Sequence, residues 1–94
     1  MSWLERCCRI LPDVVDERYR QEDKWGDQSG NHDFEWASIL GEEFGEVCAA
    51  ANEANFKTGK TPGDFGHLRA ELIQVAAVAV AWVEAIDKRE DAVA

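Results

Sequence analysis

Residues 68–86 read LRAELIQVAAVAVAWVEAI, and this stretch decides the fold of the 94-residue chain. Its apolar side chains recur at helical spacing, which predicts one long helix. Within it, residues 75–83 are apolar on every side. A helix that is apolar all round must be buried all round, and the rest of so short a chain cannot surround it. We therefore expect a second copy of the chain to complete the core.

The rest of the chain also favours helices. Thirteen alanines and eleven glutamates favour helix, and no stretch alternates as a strand does. We expect helices at residues 12–24, 33–56 and 64–91, with loops at 25–33 and 57–63. Asp33 and Asp64 are suited to cap the second and third helices. The prediction is a single all-α domain over residues 1–94. It is a bundle of three main helices and a short N-terminal helix, completed by assembly into a homodimer or homotetramer.

The charge and hydropathy patterns exclude several classes of protein. Nineteen acidic residues against ten basic ones give a net charge of −9, which disfavours binding to long nucleic acid or to an anionic membrane. The longest apolar run, 75–83, is too short to cross a bilayer, which takes about 20 residues. The charged pair Glu5 and Arg6 lies where a secretory signal needs apolar residues. The three cysteines include no C-x-x-C pair. We expect a cytoplasmic protein with reduced thiols.

Two polar pairs with helical spacing form the candidate site. Glu43 and Glu46 are three residues apart on the second helix, and Glu71 and Gln74 repeat this spacing on the third. A short loop near residue 60 makes the two helices antiparallel neighbours. Position 46 lies 14 residues before that point and position 74 lies 14 after it. The four side chains therefore fall within about one helical turn of each other, roughly 5 Å along the axis.

Converging carboxylates repel each other unless they bind protons or cations. Oxygen ligands of this kind suit Mg²⁺, or Mn²⁺ in its place, and Mg²⁺ leaves coordination positions for substrate phosphates. The plainer interpretation of a Glu-x-x-Glu pair is a solvated helix face. Glu71 argues against it, because this carboxylate begins the segment that should be buried and needs a partner there. A rival pair, Glu84 and Asp87, lies about 15 Å farther along the third helix, and we assign it to the surface or an interface.

The segments around these pairs carry a family resemblance. ILGEEFGEV at 39–47 and LRAELIQVAAVA at 68–79 resemble the MazG-like proteins of the all-α nucleoside triphosphate pyrophosphohydrolase superfamily. The family pattern is Glu-x-x-Glu, a spacer, and Glu-x-x-Asp; here the spacer has 24 residues. RYRQEDKWGDQ at 18–28 is similar to the segment that precedes the catalytic helices in small members. One position departs from the pattern, since Gln74 stands where most members have Asp.

The resemblance implies a function for these residues. Glu43, Glu46 and Glu71 match metal ligands and catalytic residues, and Gln74 matches a weaker, uncharged ligand. The implied reaction is Mg²⁺-dependent hydrolysis of a nucleoside triphosphate between its α- and β-phosphates, which gives the monophosphate and pyrophosphate. Removal of noncanonical nucleotides is one possible purpose. One glutamate would orient or deprotonate the attacking water, and which one stays open.

Other residues carry less specific predictions. Lys24, Trp25 and Gln28 are candidates for contact with the nucleotide, through charge, stacking and amide hydrogen bonds respectively; Trp25 could equally pack a helix end. His67 is four residues before Glu71 and is either a solvent-facing histidine or a partner of that carboxylate.

Two alternative functions remain open at this stage. Because of Gln74, the chain could be a non-catalytic relative that binds a nucleotide or a protein. A carboxylate-bridged di-iron protein ranks lower, since no glutamate here has a histidine three residues later.

Overall fold

The chain folds into three long helices. The computed structural model describes residues 1–56 and 65–93. It contains α1 (Trp3–Trp25), α2 (Asp33–Asn55) and α3 (Phe65–Val93), and the described residues form no strand. The all-α prediction is therefore confirmed. The expected loop at 57–63 and the expected cap Asp64 lie outside the described residues. Across the described ranges, no helix has the length and apolar character that a membrane span requires.

The predicted short N-terminal helix is wrong as a separate element. α1 begins at Trp3 and continues through Pro12. Its start is fixed by Ser2 and Glu5, because the Ser2 hydroxyl accepts a hydrogen bond from the Glu5 N–H at 3.1 Å and the Glu5 carboxylate accepts one from the Ser2 N–H at 3.0 Å. Pro12 removes one backbone hydrogen bond without ending the helix. The expected start of a helix at Pro12 is therefore replaced by a start at Trp3, nine residues upstream.

The start of α2 differs from the expectation by one residue. His32 occupies the cap position, and its N–H donates to the Glu35 carboxylate at 3.0 Å. Asp33, the expected cap, is the first helical residue. Its carboxylate accepts hydrogen bonds from the Trp82 indole N–H and the Arg89 guanidinium, both at 2.9 Å. Because the Asp33 side chain accepts these two hydrogen bonds from α3, it does not serve as the cap of α2.

α3 is the central helix of the chain. It packs against α1 on one side and α2 on the other, and within the described residues α1 and α2 do not pack directly on each other. The core is small: Trp36 of α2 lies against Val78, Ala81 and Ala85 of α3. Between α1 and α2 there is consequently a cleft whose floor is α3.

The apolar segment 75–83 is only partly covered by its own chain. Ala77, Val78 and Ala81 are buried, whereas Val80 is 42% exposed and Val83 is 55% exposed. One face of the segment therefore lies on the core and the other faces outward. The complete burial that the sequence predicts is not reached within one chain.

Candidate functional site

Three glutamates from two helices meet at the α2–α3 interface. Glu43 and Glu46 lie on α2 and Glu71 lies on α3. One carboxylate oxygen from each lies within 4.8 Å of the other two. The helical spacing places the first two on one face of α2, and the antiparallel packing brings Glu71 opposite them. We refer to these three residues as the acidic cluster.

Two members of the acidic cluster have incomplete hydrogen bonding. Glu71 is only 8% exposed and Glu43 is half-buried. The Oε2 atoms of both are closed to solvent and have no hydrogen-bond partner among the residues that the structure describes. A buried carboxylate oxygen without a partner destabilises the folded chain unless it gains a proton or a cation. These oxygens are closed to a water molecule, but a small cation can bind at about 2.0–2.1 Å.

The electrostatics agree with this geometry. Burial raises the pKa of Glu43, and the neighbouring carboxylates of Glu46, Glu71 and Glu17 raise it further. Burial also raises the pKa of Glu71, and its close contact with Glu46 raises that pKa further. Each group therefore resists ionisation while no cation is present. A divalent cation would reverse this effect, because the charged carboxylates would then be the favoured state.

Two further predicted residues lie near the acidic cluster on α3. His67 is 48% exposed over its side chain, and its Nε2 atom is 3.7 Å from Glu71 Oε1. His67 is therefore solvent-facing and also lies next to the Glu71 carboxylate, so it has the features of both sequence-based alternatives. Gln74 is half-buried and follows Glu71 by three residues on the same helix face.

A cavity of about 210 Å³ adjoins the acidic cluster in the cleft between α1 and α2. Glu43 lines both the cluster and the cavity. The other walls are mostly polar or aromatic. They include Arg18, Gln21 and Trp25 of α1, Gly26 and Gln28 of the following loop, Trp36 and Glu42 of α2, and Val78 and Ala81 of α3.

Two of the three candidate nucleotide contacts line this cavity. Trp25 ends α1, and Gln28 follows in the loop. The chain turns between them at Gly26, whose φ of 73° is a conformation that favours glycine. Lys24 is not part of the cavity wall; its ammonium lies over the Trp25 ring, 4.6 Å from the ring centroid. The structure therefore brings Trp25 and Gln28 to the cavity and turns Lys24 outward.

Sequence reasoning placed Trp25 of α1 at this site but missed Arg18 and Gln21 of the same helix. Gln21 is only 7% exposed and lines the cavity, and Arg18 and Trp36 form other parts of its wall. The available signal was the position of Gln21, which is seven residues after the buried Val14 and so on the same helix face. A polar residue at a core-facing position needs a partner. Trp36 is a core residue that also forms a cavity wall.

The rival pair lies apart from the acidic cluster. Glu84 accepts two hydrogen bonds from the Arg18 guanidinium, at 2.7 and 3.1 Å, and its side chain is 55% exposed. Lys88, four residues after Glu84, lies 3.5 Å from Asp27. Glu84 therefore joins α1 to α3 at the surface.

Comparison with known proteins adds no assignment. No protein-family model, no curated protein and no solved structure matches this chain. The MazG-like resemblance stays a prediction from the sequence motifs, and the functional argument depends on the acidic cluster and the cavity themselves.

Proposed function

We propose that the protein is a Mg²⁺-dependent nucleoside triphosphate pyrophosphohydrolase. The observation that carries the proposal is the acidic cluster, in which two buried carboxylate oxygens have no hydrogen-bond partner within residues 1–56 and 65–93. Glu43, Glu46 and Glu71 would hold the cation, with Gln74 as a weaker ligand. Mn²⁺ would serve in place of Mg²⁺. This arrangement also agrees with the Glu-x-x-Glu and Glu-x-x-Gln motifs on which the MazG-like resemblance depends.

The different exposure of the three glutamates supports different roles for them in the reaction. A bound Mg²⁺ would hold the phosphates and lower the pKa of the attacking water. Glu46 is the exposed member of the cluster, whereas Glu71 is buried and Glu43 is half-buried. Glu46 is therefore the cation ligand best placed to accept a proton from that water as well. Water attack between the α- and β-phosphates would give the nucleoside monophosphate and pyrophosphate.

The cavity would receive the nucleoside. Its volume of about 210 Å³ is close to the size of a base with part of its sugar, and it begins at Glu43. Trp25 offers an aromatic face for stacking, and the Gln28 amide offers both a donor and an acceptor to a base edge. Such a site would suit the removal of noncanonical nucleotides.

Assembly into a homodimer or homotetramer is part of the proposal. The chain exposes 6833 Å², whereas a compact monomer of 10.5 kDa exposes about 5,400 Å². Outward-facing apolar residues on α1 and α3 account for part of this excess, among them Leu11, Val15, Val80 and Val83. A second copy would cover them. The excess is comparable to one chain's share of an obligate interface, roughly 1,000 Å² or more.

Pyrophosphate release in excess Mg²⁺ tests the function. The substrates are canonical and modified nucleoside triphosphates, and the proteins are the wild type, Glu71→Gln and Glu53→Gln. Glu53 is an exposed glutamate of α2 outside the acidic cluster, so its variant is the matched control. We expect release by the wild type and the control only. Equal release by Glu71→Gln would overturn the proposal.

A second candidate function follows from Gln74. An amide oxygen ligates Mg²⁺ without supplying charge, so this site has one negative charge fewer than the usual family pattern. The chain would then be a binding protein that has lost catalysis. The test is Gln74→Asp: an inactive wild type and an active variant would favour this candidate, whereas an active wild type would exclude it.

A further inference from the structure

An ion pair on α1 lies next to the site without belonging to the acidic cluster. The Arg20 guanidinium donates to both carboxylate oxygens of Glu17, at 2.8 and 2.6 Å. The two partners differ in burial, because the Glu17 side chain is 12% exposed and the Arg20 side chain is 51% exposed. Gln21 adds a weaker hydrogen bond to Glu17 at 3.4 Å. Both Glu17 oxygens are therefore engaged, while about half of the arginine side chain remains exposed.

The register of the helices places this pair beside the acidic cluster. The loop between α1 and α2 is centred near residue 29. Glu17 lies 12 residues before that point and Glu43 lies 14 after it, so the two are level to within about 3 Å along the helix axes. Gln21, one turn from Glu17 on the same face, lines the same cavity as Glu43. The proximity also appears in the electrostatics, where Arg20 lowers the pKa of Glu43 and Glu17 raises it.

We propose that Arg20 binds the polyphosphate chain of the substrate, and that Glu17 holds its guanidinium at the edge of the acidic cluster until the substrate arrives. This inference rests on the proposed function. A guanidinium offers two parallel N–H donors that match phosphate oxygens as well as they match a carboxylate. A tri-anionic or tetra-anionic polyphosphate is a stronger acceptor than one carboxylate. The Arg20 guanidinium can therefore exchange its hydrogen bonds to Glu17 for hydrogen bonds to phosphate oxygens.

The other nearby cations are less suited to this role. Arg18 is only 15% exposed and is held by both Glu84 and Glu22. Lys24 lies over the Trp25 ring. Arg20 is more exposed than Arg18, at 51% of its side chain, and its partner Glu17 lies level with Glu43 along the helix axes.

The test is calorimetric titration of inorganic tripolyphosphate into the protein in excess Mg²⁺. The proteins are the wild type, Arg20→Ala, Arg20→Lys, Glu17→Gln and Arg89→Ala. Arg89 is the matched control, since its side chain is 47% exposed and also pairs with a carboxylate, that of Asp33. We expect Arg20→Ala to weaken binding about tenfold or more, since it removes a contact between charged groups. Arg20→Lys should weaken it less, and Arg89→Ala should not change it.

Glu17→Gln separates substrate binding from a purely structural role. If Arg20 contacts phosphate, this variant frees the arginine and leaves the affinity within about threefold of the wild type. If the pair only stabilises α1, Glu17→Gln and Arg20→Ala should weaken binding equally, and the inference is overturned. It is also overturned if Arg20→Ala behaves like Arg89→Ala, or if the wild type binds Mn²⁺ but no tripolyphosphate. Failure of the wild type to bind Mn²⁺ would instead contradict the proposed function itself.

Discussion

Asp33 and Glu71 are two carboxylates at the same α2–α3 interface with opposite surroundings. Asp33 accepts hydrogen bonds from Trp82 and Arg89, both at 2.9 Å. The bond from Trp82, followed by that from Arg89, lowers the pKa of Asp33. Glu71 is buried beside Glu46, keeps one oxygen without a partner, and has a raised pKa. One end of the interface therefore stabilises the charged form of its carboxylate, and the other end stabilises the neutral form.

The difference separates a structural carboxylate from one suited to bind a ligand. Near Asp33, hydrogen-bond donors of the same chain satisfy the carboxylate. Near Glu71 the neighbouring groups are also carboxylates, so its negative charge is neutralised only by a proton or a cation. Changes at either end of this interface, or between the two ends, therefore have different expected effects on activity and stability.

The largest effect is expected at the acidic cluster. Glu71→Gln should reduce pyrophosphate release about 100-fold or more, the range for loss of a group that acts on the attacking water or its metal. Its melting temperature without Mg²⁺ should not fall, because an amide in this position removes repulsion from Glu46. Steady-state rates and thermal unfolding measure the two quantities. A variant that is both active and less stable would show that Glu71 is a structural residue like Asp33.

The second prediction concerns pH and Mg²⁺. Because the pKa values of Glu43 and Glu71 are raised in the folded chain, their contribution to stability is present below the ordinary value of 4.5 and is lost as the pH rises. The lowered pKa of Asp33 has the opposite consequence: its contribution is present above 3.8 and is lost at lower pH.

Mg²⁺ should therefore stabilise the protein most near neutral pH, by about 1.5 kcal/mol at tenfold excess over its Kd, and least near pH 4.5, where protons compete. Thermal unfolding at several pH values, with and without Mg²⁺, measures this. Stabilisation by Mg²⁺ that does not change with pH would contradict the assignment of these carboxylates as its ligands.

The third prediction changes the other end of the interface. Trp82→Phe removes the indole N–H from Asp33 and some packing against the core, so it should lower the free energy of unfolding by about 1 kcal/mol. Pyrophosphate release by the folded variant should be unchanged. Chemical denaturation and steady-state rates measure the two properties. Loss of activity at full stability would mean that the two ends of the interface are coupled.

The smallest effect is expected at Gly41, which lies between the two ends on α2. A Cβ atom added there meets nothing within 4 Å. Gly41→Ala should therefore raise the free energy of unfolding by roughly 0.5–1 kcal/mol, through helix propensity alone. Chemical denaturation and size-exclusion chromatography on the same sample measure stability and assembly. A destabilised or dissociated variant would show that a second copy packs against this part of α2.

Helical periodicity was enough to predict most of the fold and the meeting of the three glutamates. The spacing of Glu43 and Glu46 fixes a shared face, and the antiparallel connection to α3 fixes the level of Glu71. The end of α1 and the extent of α2 followed from Gly26 and the polar residues between the helices. These features depend on local spacing, which a single sequence displays.

The features that the sequence did not predict depend on contacts between side chains that are distant in sequence. Asp33 had a plausible local role as a cap, but Trp82 and Arg89 are stronger partners that only the folded chain brings near. The continuation of α1 through Pro12 and its start at the Ser2 capping box were likewise not predicted from the local sequence. Gln21 was missed for the same reason, because it faces the cavity only once α1 lies across α3.

Binding of Mn²⁺ measured by electron paramagnetic resonance tests the central claim most directly. The signal of free aqueous Mn²⁺ is recorded as wild type, Glu71→Gln or Glu53→Gln is added at neutral pH. The account predicts that the wild type and Glu53→Gln remove the free signal, that Mg²⁺ restores it by competition, and that Glu71→Gln removes little of it. Equal binding by Glu71→Gln, or no binding by the folded wild type, would contradict the assignment of the acidic cluster as a cation site.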